Sequence, residues 1–260
     1  MPDESAVVTG ASSGIGEAIA GLLAGRGYGL LLVARRASVL EKQSVELRSR
    51  YGIKCDFLAA DLTVATDVTL VAREIVDRSV TTVVNNAGHG SYGAFRDLDL
   101  ADEIDQVRLN IEALVALSHA ALQVFVPRRS GCLLNVASTA SFQPGPRNAT
   151  YSATKAFVRS FTEAIHEEVL ASGVHVTALC PGFTPTEFQR RAGMVSSGIP
   201  ERLWTDPLTV ATAGLVALDR NQAVCVPGAA NKVGATLARM APLSVSRKMA
   251  GRVLDQMRGT

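Results

Sequence analysis

Along most of its length this chain alternates between two hydrophobic periods. Short runs rich in leucine and β-branched residues stand at 6–9 (AVVT), 29–34 (GLLLVA), 54–60 (KCDFLAA), 81–86 (TTVVNN), 132–138 (CLLNVAS), 174–180 (VHVTALC) and 223–227 (AVCVP). Between them lie longer stretches with apolar residues at helical spacing, among them 14–25, 37–51, 101–127 and 152–171. Strands separated by helices pair through crossovers rather than hairpins, which gives a parallel sheet covered on both faces. The pattern predicts one doubly wound α/β domain with seven parallel strands, and ligands bound at the carboxyl ends of those strands.

Bulk properties fit this reading. A chain of 260 residues, 47% hydrophobic, can bury a single large core. A net charge of +2 excludes nucleic acid as the expected partner. Cys55, Cys132, Cys180 and Cys225 form no CxxC pair, so four buried thiols in a reducing compartment are expected, with neither disulfides nor a metal site. The opening MPDESAVVTG runs almost directly into the first strand, without a secretory signal. The longest apolar runs are strand-length, short of the roughly 18 residues of a spanning helix. The expectation is a soluble, cytoplasmic protein.

The first strand leads into GASSGIG at 10–16 and then into the helical EAIAGLLAGRG. Gly10, Gly14 and Gly16 permit a tight turn, close backbone approach to a pyrophosphate and close helix–strand packing. Ser12, Ser13 and Ile15 fill the loop, and the following helix offers unpaired N–H groups to phosphate. A dinucleotide in a Rossmann-type fold is the expected ligand.

The TGxxxGxG spacing resembles the short-chain dehydrogenase/reductase family, and the resemblance extends from residue 5 to about 226. A member that prefers NAD carries an acid at the end of the second strand, to bond the ribose hydroxyls. Here VARR places Arg35 and Arg36 after Ala34. A guanidinium grips a 2′-phosphate where a carboxylate repels it, so NADPH/NADP+ is expected, with Arg35 the closer contact. By resemblance, Asp61 and Leu62 meet the adenine, and Asn86, Ala87 and Gly88 lie along the ribose side. Pro181 and Gly182 turn the chain out of the sixth strand, and Thr184 and Thr186 meet the nicotinamide carboxamide.

Tyr151 and Lys155 are four apart in YSATK and therefore share one helix face. With Ser138 thirteen residues before Tyr151, and Asn110 in RLNIEAL, they match the family's Ser–Tyr–Lys triad completed by an Asn. Carbonyl reduction leaves negative charge on oxygen, which must be stabilised and then protonated. Ser138 would polarise the oxygen and Tyr151 would protonate it. Lys155 would lower the phenol's pKa and bind the nicotinamide ribose, and Asn110 would hold a water linking Lys155 to solvent.

For substrate, the segments after Gly88, Ser138 and Thr186 supply His89, Phe142, Phe183 and Phe188, with Tyr92, Phe95 and Trp204 nearby. The lining is mainly apolar and points to a lipophilic ketone. The stretch from Tyr151 to PGFTPTEF is similar to the branch of 3-ketoacyl reductases and hydroxysteroid dehydrogenases, which implies a 3-oxoacyl or steroid-like ketone.

Residues 1–226 are expected to form the dehydrogenase domain, with a substrate loop at 186–206. Residues 227–260 are expected to form a basic helical extension packed on that domain or on a partner. From Val226 onward there are six Lys/Arg and one Asp, with Val245, Met249 and Val253 on one helical face. Such a tail could also touch an anionic membrane surface. A homodimer or homotetramer is expected, although the tail departs from the family's usual ending. The alternatives are a non-catalytic NADP(H)-binding sensor or scaffold, and a nucleotide-sugar epimerase, whose TGxxGxxG loop is absent here.

Overall fold

A computed structural model describes residues 4–188, 192 and 204–240. Strands β1 (Ser5–Thr9), β2 (Gly29–Ala34) and β3 (Cys55–Ala59) alternate with helices α1 (Gly14–Gly25), α2 (Ala37–Tyr51) and α3 (Ala65–Asp77). After β4 (Thr82–Asn85) come α4 (Leu100–Val107), a π-helical turn (Arg108–Ala113) and α5 (Leu114–Arg128). The chain continues through β5 (Gly131–Val136), α6 (Ala149–Val169), β6 (Val174–Leu179), α7 (Pro207–Asp219), β7 (Val224–Cys225) and α8 (Ala229–Met240). The sheet is seven-stranded in the order β3-β2-β1-β4-β5-β6-β7, and every pairing is parallel. It is the doubly wound Rossmann-type sheet that the alternation predicts. Its order reverses between β1 and β4, which opens a crevice at their carboxyl ends.

The period-2 alternation of the strands divides the core into two layers. Val8, Leu32, Val84 and Leu134 point to one face and pack on Ile19 and Leu23 of α1, Leu40 of α2 and Leu215 of α7. Their neighbours Val7, Leu31, Val83 and Leu133 point to the other face, against Val71 and Ile75 of α3, Leu117 and Phe125 of α5 and Ile165 of α6. Strands buried on both faces read as continuous apolar runs, as these do.

Four expectations need correction. The helix read over 101–127 is interrupted by the wider π turn, which contains Asn110. From Leu100 to Arg128 the combined helical stretch is long and apolar enough to cross a membrane, contrary to the reading from uninterrupted apolar runs. Its buried residues Leu114, Leu117, Ala121 and Phe125 pack on the sheet or its neighbouring helices, as a core helix does. Strand β5 ends at Val136, so Ser138 lies past the strand, at the N-cap of a short 3₁₀ turn over Thr139–Phe142. Only Cys55 and Cys180 are fully buried, while Cys132 and Cys225 are half-buried; all four are thiols. The amphipathic segment read at Val245, Met249 and Val253 lies outside the described residues.

Candidate active site

A cleft of about 1130 Å³ opens over the switch point. One wall is the glycine loop. Gly10 and Gly14 take φ of 65° and 61°, a region that L side chains avoid. A Cβ on Gly16 would lie 2.4 Å from Asn86 Nδ2 and 2.5 Å from the Gly10 carbonyl, so only glycine lets α1 start this close to β4. Ser13, the N-cap of α1, makes no side-chain capping bond, which leaves the helix's first N–H groups facing the cleft that Ser12, Ser13, Gly14 and Ile15 line.

Asn86 braces this loop. Its amide donates to the carbonyls of Thr9 (2.9 Å) and Gly10 (3.3 Å), while Thr9 Oγ1 accepts from the Asn86 and Ala87 amides at 3.0 Å each. The side chain expected along the ribose is thus committed to the backbone of its own fold, and it borders the cleft together with Ala87 and Gly88.

Arg35, Arg36, Asp61 and Leu62 line the far end of the cleft. Arg35 is largely exposed and 3.7 Å from Asp61. Burial works to raise the Asp61 pKa, but hydrogen bonds from the Thr63 amide and hydroxyl, with Arg35 nearby, hold it below the usual carboxylate value. Arg36 is the more engaged arginine. Its Nε and Nη2 donate to Ser12 Oγ at 3.3 and 3.0 Å, Nη2 also donates to the Ser12 carbonyl at 3.0 Å, and Nη1 pairs with Glu187 at 3.1 Å. Arg36 thus sits on the glycine loop, while Arg35 reaches outward.

Ser138, Tyr151 and Lys155 converge on the middle of the cleft. The Tyr151 phenol is hydrogen-bonded to Ser138, whose Oγ also accepts from the Ala140 amide at 3.1 Å. Lys155 is buried, donates to the Val136 carbonyl at 2.8 Å and lies 5.8 Å from the Tyr151 ring centroid. Burial dominates both groups, pushing Tyr151 up to about 12 against the pull of Ser138 and pushing Lys155 down to about 8.

Asn110 is buried beneath the cleft instead of lining it. Its Nδ2 donates to the His89 carbonyl (2.9 Å) and to Thr154 Oγ1 (3.0 Å), and its Oδ1 accepts from the His89 amide (3.2 Å). The π turn delivers it there, as such turns commonly do at functional sites. A Cβ on Gly88 would be 3.0 Å from Asn110 Oδ1 and 3.2 Å from Lys155 Nζ, so the residue at 88 must be small for the two to approach.

On the opposite wall, Pro181, Gly182, Phe183, Thr184, Thr186 and Phe188 border the cleft, with the Phe188 ring 5.2 Å from Tyr151. His89 also lines it, and burial followed by the charge of Arg35 holds its pKa below normal. Phe142 does not line it. It packs on the cluster of Leu114, Ala137, Val158, Ala178 and Cys180, with Arg159 stacked over its ring at 4.8 Å. Phe95 is exposed on the surface, and Tyr92 stands outside the cleft. Trp204 stands behind Phe183, with ring centroids 5.9 Å apart.

Reading along the sequence expects a helical extension from residue 227 but not the place of α8 in the cleft. Asn231, Leu237 and Met240 of this helix line the cleft, and a Cβ on Gly182 would fall 2.4 Å from the Asn231 amide. Nothing in the local sequence announces that contact, because it joins segments far apart in the chain.

A glycine-cradled crevice at the switch point, beside a serine, a tyrosine and a lysine, is what a nucleotide-dependent oxidoreductase needs. Residues 4–194 match the model of the short chain dehydrogenase family, and the chain belongs to that family. It is 32% identical over 188 residues, 72% of this chain and 80% of the relative, to an uncharacterized oxidoreductase of Staphylococcus epidermidis. A very-long-chain 3-oxoacyl-CoA reductase of Laccaria bicolor is 33% identical over 71% of this chain and 56% of that protein. Among solved structures, a short-chain dehydrogenase from Sphingobium yanoikuyae in complex with NADPH superposes with a TM-score of 0.83. It is 33% identical, with 90% of this chain and 92% of that one covered.

Proposed function

We propose that this chain is an NADPH-dependent carbonyl reductase that converts a lipophilic ketone to a secondary alcohol. The observation that carries the reading is the hydrogen-bonded Ser138–Tyr151 pair, with buried Lys155 beside it, on the cleft that the glycine loop also lines. The residues fit a dinucleotide. The unfilled turn at Gly10 and Gly14, the bare start of α1 and the two arginines suit a pyrophosphate and a 2′-phosphate. When bound, the nicotinamide supplies the hydride.

The protein's own groups then have these roles. Ser138 donates to the carbonyl oxygen and stabilises the charge that develops there. Tyr151 gives its proton to that oxygen. An alkoxide is a stronger base than a phenolate, so the transfer is downhill even from a phenol raised to about 12. Lys155 holds ribose hydroxyls and supplies positive charge beside the phenolate that Tyr151 becomes. Asn110 fixes the His89 backbone and Thr154, and so keeps the floor of the site in register.

Phe183, Phe188, Leu237 and Met240 give the open end an apolar lining, which favours a 3-oxoacyl or steroid-like ketone. The similarity to a very-long-chain 3-oxoacyl-CoA reductase supports the same substrate class. Exposed Leu100 and Ile104 of α4 and exposed Phe157 of α6, two helices in contact, support a homodimer or homotetramer. Titrating the purified protein with NADPH and NADH, then following nicotinamide absorbance with a panel of ketones, tests the reading. NADPH preference with turnover on lipophilic members is expected, and tight NADPH binding without turnover on any ketone would favour the sensor alternative.

A further inference from the structure

Arg36 has two partners with opposite consequences for a cofactor. Through Nε and Nη2 it is fastened to Ser12 of the phosphate loop, while its Nη1 edge meets Glu187 at 3.1 and 3.3 Å. Glu187 comes from the segment after β6, on the other wall of the cleft. That segment is laid directly over the glycine loop: a Cβ on Gly14 would be 2.8 Å from Thr186 Cγ2, and the Phe188 amide donates to Thr186 Oγ1 at 3.3 Å. Thr186 and Phe188 thus hold Glu187 over the loop beside Arg36, and all of these residues border one cleft.

A guanidinium edge facing a carboxylate is the same edge that would face a phosphate, since both offer a pair of acceptor oxygens to two parallel N–H donors. The other arginine offers little relief, because Arg35 lies 3.7 Å from Asp61. Each cation at this end of the cleft thus has an acid of its own. Resting on the NADP(H) reading above, we propose that Glu187 is a cofactor-selectivity residue, whose carboxylate competes with the 2′-phosphate of NADP(H) for Arg36.

Binding of the phosphorylated cofactor would exchange an internal ion pair for a stronger external one, because the phosphate carries close to two charges where the carboxylate carries one. NADH lacks that phosphate and leaves the pair intact. Glu187 accordingly weakens NADPH binding and leaves NADH binding unaffected, which narrows the preference that the two arginines create. Both side chains are about one-third exposed, so solvent screens the pair and the effect is modest.

The test is a set of equilibrium titrations of the cofactor-free protein with NADPH and with NADH, read by nicotinamide fluorescence, for wild type, E187Q, R36Q and the double variant. E187Q is expected to tighten NADPH binding about fivefold, with NADH unchanged, at low salt. The gain should shrink at high salt and vanish in the R36Q background, since it acts through that guanidinium. Unchanged or weaker NADPH binding in E187Q, with R36Q still costing NADPH affinity, overturns the competition and makes Glu187 a strap holding the two walls together. If R36Q leaves NADPH affinity intact, the reading of the arginines as a 2′-phosphate site fails first, and the competition fails with it.

Discussion

The wall of the cleft formed by β1, residues 10–16 and β4 is made of backbone, whereas the wall formed by residues 138–155, 182–188 and α8 is made of side chains. On the first, the decisive facts are spaces where atoms cannot be: positive φ at Gly10 and Gly14, and a Cβ position at Gly16 already occupied by Asn86 and the Gly10 carbonyl. On the second, they are groups that must be present: the Tyr151 phenol on Ser138, Phe188 against Tyr151, and Leu237 and Met240 at the open end. One wall should fail when atoms are added and the other when atoms are removed.

Removing a single oxygen on the side-chain wall should have the largest effect. Ser138→Ala takes away the group placed to polarise the carbonyl, so kcat/KM should fall about 10²- to 10³-fold, as with other single donors to a developing oxyanion. NADPH affinity, measured by fluorescence titration, should hardly change; a loss of affinity matching the loss of rate would place Ser138 in the binding wall instead.

Adding one methyl group on the backbone wall comes next. Gly16→Ala puts a Cβ 2.4 Å from Asn86 Nδ2 and should destabilise the fold by about 1–3 kcal/mol in urea denaturation, with cofactor binding impaired. Gly21, whose added Cβ meets nothing within 4 Å, serves as the control and should tolerate alanine.

A smaller effect sharpens the comparison through pH. Burial lowers the Lys155 pKa from 10.5 to about 8, so between those values the unfolded chain holds a proton that the folded chain has released. Stability gains from that group as pH rises through this window. The four thiols and Tyr151 act in the opposite sense, because burial raises them and the unfolded chain loses their protons first; the thiols do so from about pH 9. Over pH 8 to 9, wild type should therefore gain about 1 kcal/mol relative to Lys155→Met in denaturant titrations of the cofactor-free protein. Parallel profiles would mean that Lys155 stays charged in the fold.

The smallest expected change is at α8. Leu237 lines the cleft while keeping 62% of its surface exposed, so Leu237→Ser removes only partial apolar contact. At roughly 25 cal/mol per Å² this should lower kcat/KM about threefold for a bulky lipophilic ketone and leave a small ketone unaffected. Equal loss on both would make α8 a structural brace and not part of the substrate surface.

The same contrast explains what could be read in advance. The alternating periods and the glycine spacing are local statements about backbone, and they led to the sheet, to β2 and α2 at their observed limits and to the loop residues. Tyr151 and Lys155 were legible because helical spacing puts them on one face. Asn110 was found by resemblance, but its partners were not, because a π turn has no local signature. Phe142 was misplaced because the 3₁₀ turn after Ser138 rotates it onto the core around Cys180. The engagement of Arg36 was not legible because its partner Glu187 lies 151 residues away. Asn231 over Gly182 was missed for the same reason: contacts that close the side-chain wall are set by tertiary packing.

The central claim is that Tyr151 protonates the product while the backbone wall holds the cofactor. The most direct measurement is a single-turnover reaction of preformed protein–NADPH complex with the best ketone of the panel, wild type beside Tyr151→Phe. The account predicts that hydride loss from NADPH slows by about 10²- to 10⁴-fold in the variant while NADPH affinity is retained. Hydride loss at the wild-type rate in Tyr151→Phe would contradict it and require the proton to come from elsewhere in the cleft.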